Sequence, residues 1–173
     1  MPARSLNSWV ASHRVALVAP LACALLVLSV TATVTRAQEA TEAVAIVVHP
    51  DVPVDDLSFD ELRSIFLGEQ QFWPDRSRIT VLVRAPVARE RDMVLDRIYQ
   101  MDEDRYRQYW IAKMFRAEVA SGPQIVFSND MARELVTVIA GSIAFVPASA
   151  VGPGLKVVRI DGKLPEDPNY PLR

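Results

Sequence analysis

The sequence predicts an α/β fold, a three-layer sandwich with a mostly parallel sheet, and three observations lead there. Val44 to Val48 (V-A-I-V-V) and Ile79 to Arg84 (I-T-V-L-V-R) are short β-branched runs of the kind that fill strands buried on both faces. Between them lies a well-specified amphipathic helix, and strand-type and helix-type patterns alternate from there on. Once an N-terminal export segment is set aside, 136 of the 173 residues remain, enough for one domain with a real core and short of two ordinary ones.

That export segment is residues 1–37. Arg4, His13 and Arg14 precede an apolar run from Val15 to Val30, and Thr35-Arg36-Ala37 fits a small-x-small cleavage site, the layout of a secretory signal peptide. The run is short for a membrane span. The mature chain is expected to start at Gln38 and to be periplasmic or secreted, with an uncleaved signal anchor, and so a membrane-tethered protein, as the alternative. Cys23 follows Pro20-Leu21-Ala22, but the apolar run continues past it, which is not how a lipoprotein signal ends. Cleavage removes Arg4, Arg14 and Arg36 and no acidic residue, taking the formal charge from −2 to −5. Such a balance argues against a nucleic-acid partner, which needs a basic surface. It also removes the one cysteine, so disulfide and thiol chemistry are unavailable.

Residues 38–43 read as a short linker, 44–162 as the domain and 163–173 as an irregular tail. Val44–Val48 is the first strand, ending at His49-Pro50. Ser58 with Glu61 forms a capping box that starts a helix at Phe59, with Leu57 and Leu62 at staple positions. Asp60 and Glu61 add negative charge where the helix dipole favours it. Phe59, Leu62, Ile65 and Phe66 share one face, and Gly68 supplies the left-handed residue that closes the helix. Ile79–Arg84 follows as a strand, and the linking helix favours a parallel, right-handed crossover from the first strand. After Pro86, the apolar positions Val87, Val94, Leu95, Ile98 and Met101 predict a helix to about Tyr99. Arg89 to Asp92 read as its solvated face. A further helix runs from about Asp104 to Phe115. Its Tyr106, Tyr109, Trp110 and Met114 read as core, with Tyr109 the member expected to face out. Ser121-Gly122-Pro123 breaks the chain before a short strand, Gln124–Phe127. Ser128 or Asn129 caps a helix through Met131, Leu135, Val138 and Ile139 that stops at Gly141. Ile143–Val146 is another strand, and Lys156–Ile160 alternates, as an edge strand does. Pro165, Pro168 and Pro171 leave the tail irregular.

The helix L-S-F-D-E-L-R-S-I-F-L-G followed by Trp73, the strand I-T-V-L-V-R, and Gly141 with Ile143-Ala144-Phe145-Val146 resemble the substrate-binding proteins of phosphate ABC transporters. They are nearer still to small, single-domain exported proteins of phosphate-binding type. The resemblance covers roughly Val44 to Gly162. It implies a type 2 periplasmic-binding fold, but only one of its two lobes, and so half of the cleft in which the family holds its anion. It also implies a Gly-Ser-Gly-Thr type loop after the strand that ends in Arg, where amides and hydroxyls at a helix start hold phosphate. This sequence keeps Arg84 but continues Ala85-Pro86-Val87-Ala88. Pro86 has no amide donor, and the hydroxyls are gone.

Ligands of open α/β sheets sit at the carboxyl ends of strands, which here carry His49, Arg84, Ser128 and Asn129. The Arg84 fork suits a carboxylate or oxyanion, the alternative being an ion pair with a nearby acid. His49, the one histidine of the mature chain, reads as a ligand contact or as an ordinary loop residue. Ser128 and Asn129 offer a second anion position at a helix start, or simply a cap. Arg89 and Arg91 lie close enough to the altered loop to stand in for it. One histidine with scattered carboxylates has no metal spacing, and neither a nucleophile with a base, a G-x-S-x-G motif nor a phosphate-cradling Gly loop occurs. No metal, cofactor or enzyme activity is assigned. Two functions remain. One is an exported solute-binding module for a small oxyanion or carboxylate, completed by a homodimer or an ABC transporter permease. The other is a ligand-free envelope interaction or adaptor module.

Overall fold

The computed structural model describes residues 42–173. The signal-peptide, cleavage-site and Cys23 readings lie outside them. Five strands form the main sheet: β1 (Val44–Val48), β3 (Thr80–Arg84), β4 (Gln124–Val126), β5 (Ser142–Pro147) and β6 (Lys156–Val157). A two-residue strand β2 (Asp56–Leu57) pairs separately with β7 (Arg159–Ile160). The helices are α1 (Phe59–Phe66), α2 (Arg89–Val94) running into a π-helical turn (Leu95–Tyr99), α3 (Glu103–Phe115) and α4 (Asn129–Val138).

The main sheet has the order β4-β3-β5-β1-β6. β3 is parallel to β4 and β5, whereas β1 is antiparallel to both its neighbours, β5 and β6. Four of the five strands therefore point the same way and β1 runs against them. This corrects the expected parallel pairing of the first two long strands: β5 lies between β1 and β3, and β1 opposes both. The connection through α1 does not return to a neighbouring strand.

The three layers follow from side-chain alternation. Ile46, Val48, Val81, Val83, Ile143 and Phe145 point to one face, where α1, α2 with its π turn, and α3 cover them. Ala45, Val47, Leu82, Val126, Ala144 and Val146 point to the other, against Ala132 and Val136 of α4. A strand covered on both faces must be apolar throughout, and each residue of β1 is buried.

α1 starts as its sequence dictates. The Ser58 hydroxyl accepts from the Glu61 amide at 3.2 Å and the Glu61 carboxylate from the Ser58 amide at 2.9 Å. Asp161, beside β7, accepts from the Phe59 amide at 3.0 Å, so the paired β2 and β7 also serve as a seat for the helix start. Gly68 closes the helix with φ of 68°. The Trp73 indole then donates to the Gly141 carbonyl at 2.9 Å in a buried bond, which ties the α1 motif to the turn before β5.

Three local expectations change. On α3, Tyr106 and Trp110 are buried and Tyr109 is half-buried with its hydroxyl on the Leu67 carbonyl at 2.8 Å, whereas Met114 is the outward member. On α4, Val138 is exposed and the fully buried positions are Ala132 and Val136. Glu90 and Arg91 are not a solvated face, being 8% and 2% exposed; each is buried against an opposite charge. The tail has no helix or strand, and it packs into the core. Leu172 is fully buried, and its carbonyl accepts from the Val44 amide at 2.8 Å.

Candidate functional site

The direction of β1 divides the four candidate residues between the two ends of the sheet. Arg84 ends β3 and is paired in register with Val126 at the end of β4, just before Ser128 and Asn129. These three residues share one end. Val48, by contrast, pairs with Ile143, and the His49 amide donates to the Ser142 carbonyl at 3.0 Å, at the start of β5. His49 is thus at the far end and does not join Arg84. There its Nδ1 accepts from the Asp51 amide at 3.2 Å, closing a turn.

At the Arg84 end the chain leaves β3 through Ala85, whose amide donates to the Val126 carbonyl at 2.8 Å. It passes Val87, which has φ of 68° and is 98% exposed, and enters α2 at Arg89. No side chain caps α2 at Ala88. Glu90 and Asp92 instead place carboxylates in its first turn, where the helix dipole favours negative charge.

Glu90 decides the electrostatics. Its Oε1 accepts from Arg84 Nε at 2.9 Å, and both side chains are about nine-tenths buried. Arg84 Nη1 reaches the Val126 carbonyl at 3.5 Å. One residue on, Arg91 makes a fork with Glu103, Nε to Oε2 and Nη2 to Oε1, both at 2.9 Å, and its Nη1 donates to the Arg84 carbonyl. The Arg91 guanidinium also lies over the Tyr106 ring, 4.8 Å from its centroid. Burial is the largest single influence and works against this charge, but the bonds to Glu103, its negative charge and the neighbouring Tyr106 and Tyr99 together outweigh it and hold the guanidinium pKa above its ordinary value. Behind it, burial pushes the Tyr106 and Tyr99 hydroxyls up, so both stay neutral. Two arginines and two carboxylates thus form a compensated network in place of an open cationic pocket.

Ser128 caps α4, accepting from the Met131 amide at 3.0 Å. Asn129 is the first residue of that helix, and its Oδ1 is buried without a hydrogen-bond partner among the described residues. Sequence reading missed Glu90 and Glu103. The signal was the alternation Arg89-Glu90-Arg91-Asp92 directly after a strand-end Arg, which also fits a solvated helix. Among the described residues no cluster of His, Cys, Asp or Glu suits a metal ion.

No protein-family profile and no curated protein matches the chain. Solved structures do match its fold. An ABC-type phosphate transport receptor from Vibrio cholerae superposes with a TM-score of 0.61 at 20% identity, covering 76% of this chain and 53% of the receptor. A candidate phosphate ABC transporter substrate-binding protein from Clostridium perfringens, solved with bound phosphate, matches at 0.57 and 20% identity, over 70% of this chain and 46% of its own. A phosphate-binding protein from Stenotrophomonas maltophilia matches at 0.54 and 15% identity, over 72% and 40%. The chain spans about half the length of the first two of these, and the fold of residues 42–173 is that of part of a phosphate ABC transporter substrate-binding protein.

Proposed function

We propose that this chain is an exported, single-lobe module of phosphate-binding type that acts by docking on an envelope protein, with its strand-end anion position filled by its own Glu90. The observation that carries the reading is the 2.9 Å bond between Arg84 and Glu90, both largely buried. An incoming oxyanion would have to displace Glu90 and leave that carboxylate buried without a partner, a cost of about 3–5 kcal/mol. The nearby Arg91 is likewise committed to Glu103. At the same end, Val87 and Phe127 expose large apolar surface, 98% and 74%. Such side chains suit a partner, be it an ABC transporter permease, another envelope protein or a second copy. Export rests on the basic and apolar pattern of residues 1–37, and the reading includes no catalytic step. Among the described residues no helix is long and apolar enough to cross a membrane.

Isothermal titration with phosphate and sulfate tests the anion position. The wild type and Arg84→Ala should both give no heat, and photo-crosslinking from position 87 or 127 in cells should capture one defined envelope partner. Phosphate heat in the wild type that vanishes in Arg84→Ala would instead establish the solute-binding reading. That second reading draws on the retained Arg84 and on the phosphate held by the Clostridium perfringens protein.

A further inference from the structure

At the opposite end of β3 from Arg84 the surface opens into a cavity of about 140 Å³. Thr80 and Arg84, the two ends of β3, are four residues apart, about 13 Å at the rise of a strand. Ile65, Ile79, Val81, Trp110 and Val119 line the cavity, each of them buried to nine-tenths or more. Gln70, Gln71, Arg78, Thr80, Ser121 and Gln124 supply its polar lining. No acidic residue lines it, and Arg78 is exposed with no carboxylate within 4.0 Å among the described residues.

Trp110 is packed between two glycines. An ideal Cβ on Gly68 would fall 2.8 Å from Trp110 Cη2, so a side chain there would drive the indole out of place. On the other side, a Cβ on Gly122 would lie 3.9 Å from Trp110 Cε3, in ordinary contact. An apolar wall, a few neutral donors and one uncompensated guanidinium together make a small amphipathic site of one charge sign. Its volume is close to that of an apolar cavity of about 150 Å³ that accepts benzene. A guanidinium fork matches a carboxylate in geometry as well as charge.

From this cavity we propose a ligand site: it binds a small carboxylic acid with a ring-sized apolar body, the body against Trp110 and Val119 and the carboxylate on Arg78. The site is separate from the Arg84 end, so it stands or falls independently of the docking reading above.

Titration with benzoate, followed by heat and by tryptophan emission, tests it on the folded chain. Benzoate should bind saturably, its neutral isostere benzamide at least tenfold more weakly, and Arg78→Met should weaken benzoate at least tenfold. The exposed Arg76, which does not line the cavity, supplies the control Arg76→Met, which should bind as the wild type does. Gly122→Leu provides a second route, since Gly122 has no positive φ and its side chain would cover the indole; binding should be lost with the thermal melt retained. Absence of saturable binding up to on the order of 10 mM benzoate, equal affinity for benzamide, or unchanged affinity in Arg78→Met or Gly122→Leu would overturn the proposal. Phosphate heat lost in Arg84→Ala bears on the docking reading alone.

Discussion

A guanidinium as buried as that of Arg84 needs a counter-charge, and Glu90 supplies it at 2.9 Å. Glu90→Leu should therefore destabilise the fold by about 3–5 kcal/mol, because it strands a buried cation. The double substitution Arg84→Met with Glu90→Leu should recover most of that loss, since two apolar side chains of similar size no longer need each other. Urea denaturation of both single variants and the double variant measures the coupling; equal losses in Glu90→Leu and the double variant would show that Glu90 is not what neutralises Arg84. At this scale Arg84 was legible as a candidate from its place at the end of an apolar run. Its partner was not, because Glu90 is brought against it by the turn through Ala85-Pro86-Val87-Ala88, and nothing in residue spacing distinguishes a carboxylate folded inward from one facing water.

Among the elements, α1 is the most completely written in its own residues. Its start is held by Ser58, Glu61 and Asp161, of which the first two are local and the third arrives from the far end of the domain. Ser58→Ala should cost about 1 kcal/mol. The Ser58 hydroxyl and amide also hold the Glu61 carboxyl below its ordinary pKa, the hydroxyl being the larger cause. A carboxylate depressed in the folded state favours folding while it is ionised. Its contribution is complete above the unfolded value, about pH 4.3, and drains away as the pH falls through the lower folded value. Asp75, held down by the Ser77 hydroxyl and then its amide, acts with the same sign. Melting temperature against pH should thus fall on the acid side, with a shallower fall in Ser58→Ala; an unchanged acid limb in that variant would remove the capping box from the account. α2 was less legible. Its helical period was visible, but the π turn from Leu95 to Tyr99, ended by Gln100 at φ of 56°, buries Leu95, Ile98 and Tyr99 and sets the Tyr99 ring edge-on to Phe66 and Tyr106, contacts that only the assembled layers supply.

For the molecule as a whole, the tail is part of the core. Leu172 is fully buried, and its carbonyl extends the bonding of β1 at Val44. Leu172→Ala should cost about 2–5 kcal/mol, the range for emptying a buried leucine site. Chemical denaturation checks this, and a loss below about 0.5 kcal/mol, the surface-substitution range, would place the tail outside the cooperative unit. The α/β class, the doubly buried strands, the capped α1 and the break at Ser121-Gly122-Pro123 were all determined by the sequence itself, because propensity, capping and apolar period act between residues a few positions apart. Only the tertiary structure decided that β1 runs against its neighbours, that His49 therefore stands at the other end of the sheet from Arg84, and that Glu90 is buried against Arg84. Those outcomes depend on which faces and edges meet across the whole chain, and the burial that rewards each meeting exists only once the layers have assembled.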